Sequence, residues 1–267
     1  MKNPWPHRFA ILLAIGALLL IVNGAAGATS VHRTAAILLD VLTLGLVIWL
    51  ALADPRPASR RLGWVILAIA ALGAVAGLSQ MQSMAPRTAG IFHACLAPLF
   101  FAALVATVIS TSPAWFRGPE LVYDYGWPSM RSLAIMTPLL VLLQIALGAA
   151  FRQKALTLLP HVLCAMFVAL VILLESIFIL QQFPTHRALA PAAKTLLGVA
   201  FGQVFLGITA LIVKSMADET AAPVVATVAG HVTGGAVTLA TTIVLSILIR
   251  RNVQPRVEED LEDSQTS

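Results

Sequence analysis

Four histidines, His32, His93, His161 and His231, sit at corresponding places in four of eight hydrophobic segments. They fall in the second, fourth, sixth and eighth segments, two in each half of the chain. A neutral imidazole binds iron through one ring nitrogen while the other nitrogen bonds to a nearby acceptor. One such ligand from each of two facing helices would hold a porphyrin plane between them, and the helices would supply its dry, apolar faces. The pattern therefore suggests two pairs of axial haem ligands inside a membrane bundle. A single tetrahedral zinc site made from all four is the competing arrangement. The chain offers no HExxH, no tight local histidine pair and no nearby catalytic base to support it.

Other polar residues belong to the same end of the segments. Arg33 follows His32, and Arg87, Arg152, Lys154 and Lys214 complete a set of cations there. Haem carries two propionates, and arginine holds a carboxylate through two parallel hydrogen bonds. Headgroup contact competes for the same cations. Asp40 lies eight residues after His32, at a depth where an acid is expensive unless solvated or paired. It could relay protons, or bond to a polar neighbour such as Asn23. Glu175, fourteen residues after His161, reads as an interfacial carboxylate near the opposite end. His7 and His186 fall outside the pattern and read as interfacial or loop residues.

The elements that must position these residues are membrane helices. The chain has 267 residues, of which 59% are hydrophobic and only 11% charged, too few charges for a soluble surface. Apolar blocks near 9–28, 33–52, 62–79, 92–110, 132–151, 161–180, 194–213 and 224–249 approach the length that crosses hydrocarbon. They lack strand-length alternation, so an all-α integral membrane protein is expected, not a barrel. Of 17 Lys and Arg, an inside N-terminus leaves five outside and twelve inside. That satisfies the positive-inside rule and places both termini on the cytoplasmic side and the four histidines outside. His231 would lie about 10 Å deep at the helical rise. The net charge of +5 thus orients the chain and does not indicate nucleic acid. NGAAGA could end a signal peptide, but the apolar run before it is longer than usual, so a retained helix is expected. Cys95 and Cys164 lie within the apolar blocks and read as small hydrophobes. The absence of CxxCH excludes covalent haem attachment.

The organisation is two halves of four helices. Residues 1–112 form the first, 113–131 an interfacial connection rich in Trp and Tyr, 132–251 the second, and 252–267 a disordered acidic tail. Each half carries one histidine at the start of its second helix and another in its fourth. QIALG at 144–148 and QVFLG at 203–207 repeat a local pattern. Internal duplication of this kind places sites within or between related halves. The pairs Gly73–Gly77, Gly198–Gly202 and Gly230–Gly234 read as close helix contacts, the last also as room for a flat macrocycle beside His231.

GIFHACLAPLFFAALVA, QIALGAAFRQ, LLPHVLCAMFVAL, GQVFLGITALIVK and AGHVTGGAVTL together resemble the haem A synthase family. The resemblance spans nearly the whole chain, and the histidine placement is its most specific part. It implies an eight-helix protein of two pseudo-symmetric four-helix bundles in the bacterial plasma membrane. Its members oxidise the C8 methyl of haem O to the formyl group of haem A for terminal oxidases, and they carry haem b. By resemblance, His161 and His231 hold haem b, and His32 and His93 face the iron of the substrate haem. Arg33, Arg87, Arg152 and Lys214 are the candidates for the propionates. The implied partners are the lipid bilayer, a haem O supplier, a redox partner and oxidase assembly factors.

This chain departs from the family at one point. Members have a long first outer loop and a glutamate three residues before the first histidine. Here the loop is reduced to a turn around Ala28–Val31 and the position is Thr29. Thr29 and Asp40 are the auxiliaries left for proton transfer. A haem b protein that moves electrons or handles haem without oxidising it is the alternative expectation.

Overall fold

The computed structural model describes residues 4–27, 29–82, 85–124 and 127–255. Eight helices are long and apolar enough to cross a membrane. They are α1 (Trp5–Ala25), α2 (Thr29–Ala53), α3 (Pro57–Met81), α4 (Pro86–Thr111), α6 (Met130–Arg152), α7 (Leu158–Gln182), α8 (Leu189–Met216) and α9 (Ala222–Asn252). A short helix, α5 (Pro113–Phe116), and a strand, β1 (Val122–Asp124), lie in the connection between α4 and α6. Helices are the form that satisfies every backbone polar group within one apolar segment. Most begin several residues before the apolar block, because prolines at α1, α3, α4 and α9 sit in the first turn, where a missing N–H costs nothing.

Small residues govern which face packs. On α1, Ala10, Ala14, Ala17 and Ile21 form a buried stripe, while Leu12, Ile15 and Leu19 point outward. Lipid is as apolar as leucine, so outward leucines are not penalised and close approach of backbones decides association. The alanines of α1 meet Ala102 and Ala103 of α4 in one core cluster. Ala236 and Ala240 of α9 join that same cluster. The second cluster gathers α6, α7, α8 and the inner part of α9, from Met130 to Val253. α9 is therefore shared, packing against α1, α4, α6 and α8.

One end of the helices is laced by polar contacts between elements. Arg56 donates to the carbonyl of Ser110 at 2.9 Å, Arg131 to that of Val253 at 2.9 Å, and Arg251 to that of Trp115 at 2.6 Å. β1 pairs in parallel with a strand β2, Val253–Pro255. Residues expected to belong to a disordered tail thus continue α9 and close a two-stranded ladder, because the connection presents a free strand edge beside them. Residues 256–267 lie outside the described residues.

One smaller expectation also changes. α2 begins at Thr29, so Thr29 belongs to the helix that carries His32 and not to the turn before it. The side chain of Thr29 lies outside the described residues. The turn itself is made possible by Gly27, whose φ of 82° suits glycine.

Candidate functional site

The four histidines come together as two pairs. The rings of His32 on α2 and His93 on α4 have centroids 6.1 Å apart, crossed at 75°. Those of His161 on α7 and His231 on α9 are 6.2 Å apart, crossed at 90°. Two separate pairs rule out the single four-histidine zinc site. Among the described residues no three His, Cys, Asp or Glu side chains gather around one metal position.

Each ring rests against a glycine of the preceding long helix. A Cβ at Gly24 would lie 2.8 Å from the His32 ring, one at Gly77 3.3 Å from His93, and one at Gly148 or Gly207 2.9 Å from His161 or His231. The glycines of α1, α3, α6 and α8 thus cradle the histidines of α2, α4, α7 and α9. The duplication is finer than two halves, since a glycine helix followed by a histidine helix occurs four times. QIALG and QVFLG carried the signal for Gly148 and Gly207, whereas LIVNG and GAVAG hide the other two copies. The expected role of Gly198 and Gly202 in helix contact is not seen, as nothing lies within 4 Å of a Cβ built there.

One turn before each cradle glycine stands a residue that meets the same histidine. His32 Nδ1 is 3.1 Å from the carbonyl of Leu20, and His93 Nδ1 is 3.0 Å from that of Gly73. Donation from Nδ1 leaves Nε2 with its lone pair free, the form that ligates a metal. In the second half the corresponding residues are Gln144 and Gln203. Their Nε2 atoms donate to the main-chain carbonyls of His161 and His231, each at 3.0 Å. Gln144 Nε2 also lies 3.0 Å from His161 Nδ1, while His231 Nδ1 is buried without a hydrogen-bond partner among the described residues.

The spacing of both pairs fits one metal between two imidazoles. Metal–nitrogen bonds to histidine run about 2 Å and the ring centre lies about 1 Å behind its nitrogen, so two axial rings have centroids about 6 Å apart. Rings crossed near a right angle can both stand upright on one plane. The glycines behind them, with apolar helix faces around them, leave the rings as the polar groups that face each other. The residues present therefore fit a haem held between each pair.

The cations are less uniform. Arg33 and Arg87 are exposed. Arg152 spans from α6 to the carbonyl of Ala25 at 2.8 Å, and Lys214 is paired with Glu219 at 3.0 Å. That partner holds the exposed Glu219 carboxyl below its ordinary range. Asp40 is half-buried and has no hydrogen bond or ion pair among the described residues. Asn23 does not meet it and bonds instead to Leu19 of its own helix.

One polar residue differs from its expected setting, and one expected in a loop has a further role. Glu175 is 1% exposed, not interfacial, and accepts a 2.5 Å hydrogen bond from Thr137 of α6. Nothing in the local sequence marks which face of α7 turns toward α6. His186 is a buried loop residue that accepts from the N–H groups of Ala188 and Leu189 and so caps the start of α8. His7 stays outside the pairs, meeting the carbonyl of Val108 and the hydroxyl of Thr111. Cys95 and Cys164 are free thiols, as expected of small hydrophobes. No protein-family model matches the chain, and no curated protein matches it.

Proposed function

We infer that this chain is a haem-binding membrane oxidoreductase of the haem A synthase type, acting on the C8 methyl of haem O. The observation that carries the reading is the pair of matched histidine pairs, each spaced for axial ligation and each cradled by glycine. His161 and His231 are the ligands of a resident haem b, which supplies one-electron transfer when bound. His32 and His93 hold the substrate haem. Arg33 and Arg87, exposed at the same end, are free to meet its propionates, whereas Arg152 and Lys214 already have partners. A haem O supplier and a redox partner complete the system in a bacterial plasma membrane, with this end facing outward by the distribution of cations.

A second reading follows from Thr29 and Asp40. The carboxylate that the resemblance implies before the first histidine is missing, and Asp40 stands two turns away with no hydrogen bond or ion pair among the described residues. On that ground the chain would bind haem b and transfer electrons without oxidising haem O.

Co-expression with a source of haem O separates the two. The first reading expects haem A in the extracted pigment, and its loss in His32→Ala and His93→Ala. Folded, haem-loaded protein that leaves haem O unchanged beside a competent electron acceptor overturns it and selects the second. In either case His161→Ala and His231→Ala should abolish the bis-imidazole spectrum of the resident haem.

A further inference from the structure

The two histidine pairs are cradled alike but tied differently. In the first half, the hydrogen bond between the two helices at the site runs through the imidazole, from His32 to Leu20 and from His93 to Gly73. A ring that turns to take or release a ligand breaks that tie. In the second half, Gln144 ties α6 to the main chain of α7, and Gln203 ties α8 to the main chain of α9. These bonds do not depend on where the rings point.

Space has been made for the second tie. A Cβ at Gly234 would collide with the side-chain oxygen of Gln203. Gly234, expected to pack helices closely and to leave room beside His231, leaves room for this amide. Both glutamine oxygens are buried without hydrogen-bond partners among the described residues, so the amides are held in place for their donor side.

We propose that Gln144 and Gln203 are positioning residues that clamp the second histidine pair shut and make it the resident haem site, whereas the unclamped first pair exchanges its haem. The proposal rests on the haem reading above and concerns which pair keeps its haem. The positions equivalent to the clamps, Leu20 and Gly73, lack an amide, so clamping is a property of the second half alone.

Full-length protein loaded to saturation with haem, in detergent, is mixed with excess apomyoglobin, and transfer is followed by the Soret band. The wild type should release haem in a fast and a slow phase. Gln144→Leu with Gln203→Leu should speed the slow phase on the order of tenfold, the effect of losing two interhelical bonds of membrane strength. Gly234→Ala, which alters neither glutamine nor histidine, should speed it too and answers the question if the double variant does not accumulate. Leu20→Gln should slow the fast phase by giving the first pair a clamp. A slow phase unchanged in both the double variant and Gly234→Ala overturns the proposal and leaves the haem reading intact. A single phase in the wild type also overturns it. Wild-type protein that retains no haem overturns the haem reading itself.

Discussion

Glycine sets the position of each of the four paired histidine rings. At Gly207, an added methyl would lie 2.9 Å from the nearest His231 ring carbon, closer than such atoms approach in practice. The ring belongs to a packed helix and cannot move far without leaving the axis toward His161. Gly207→Ala should therefore lower the haem content of the second pair several-fold. Gly202→Ala, where nothing lies within 4 Å, should leave it unchanged. Pigment-to-protein ratios of the two variants provide the comparison. The histidines themselves were legible in the sequence as four apolar-segment imidazoles at matching positions. Two of the four cradles were not, because Gly24 and Gly77 are surrounded by the same small residues that any close-packed membrane helix uses.

Between elements, short polar turns fix how helices reverse direction. Asp54 joins α2 to α3 and is 2% exposed. It accepts from the backbone and guanidinium of Arg56 and from the hydroxyl of Ser59, at 2.6–3.1 Å. Burial by itself would raise the carboxyl pKa; the bonds from Arg56 and Ser59 outweigh it and hold Asp54 at about 2. An unfolded aspartate titrates at about 3.9. The depressed value means that Asp54 stabilises the fold above pH about 4 and that this contribution fades as pH falls toward 2. Asp54→Asn should cost about 1–2 kcal/mol at pH 6, through weakened charge-assisted bonds. Thermal unfolding in detergent should show the gap between variant and wild type closing as pH falls from about 4 to about 2, the interval between the two pKa values.

At the scale of the molecule, the polar residues sort to two ends. His32, Arg33, Arg87, Arg152 and Lys214 lie at one end. Arg56, Arg187 and Arg251, together with the connection carrying α5 and β1, lie at the other. Ser30 and Thr88 are exposed at the histidine end. Single cysteines at these positions, in a background with Cys95 and Cys164 replaced by alanine, should react in intact cells with a membrane-impermeant maleimide. A cysteine at Arg187, also exposed, should react only after the membrane is opened. Reversal of that pattern would invert the orientation and place the histidine end inside. Only residues 26–28 separate α1 from α2, too few to cover the first histidine pair, so haem added to the protein should protect Ser30 and Thr88 from the reagent directly.

The sequence by itself determined eight membrane helices, because long apolar blocks with few charges leave the backbone no other way to satisfy its polar groups. It also singled out the four histidines that the fold brings into two pairs, since their recurrence in alternate helices survives any choice of helix ends. The contacts of the rings within each expected pair, and the glycine cradle behind each ring, were decided only by the tertiary structure, which brings together residues about sixty to seventy positions apart in the chain. So were the burial of Glu175 against Thr137, the capping role of His186 and the sharing of α9 between two core clusters. These depend on which face each helix turns inward. In lipid that choice leaves little trace in hydropathy, because the face toward lipid and the face toward protein are equally apolar.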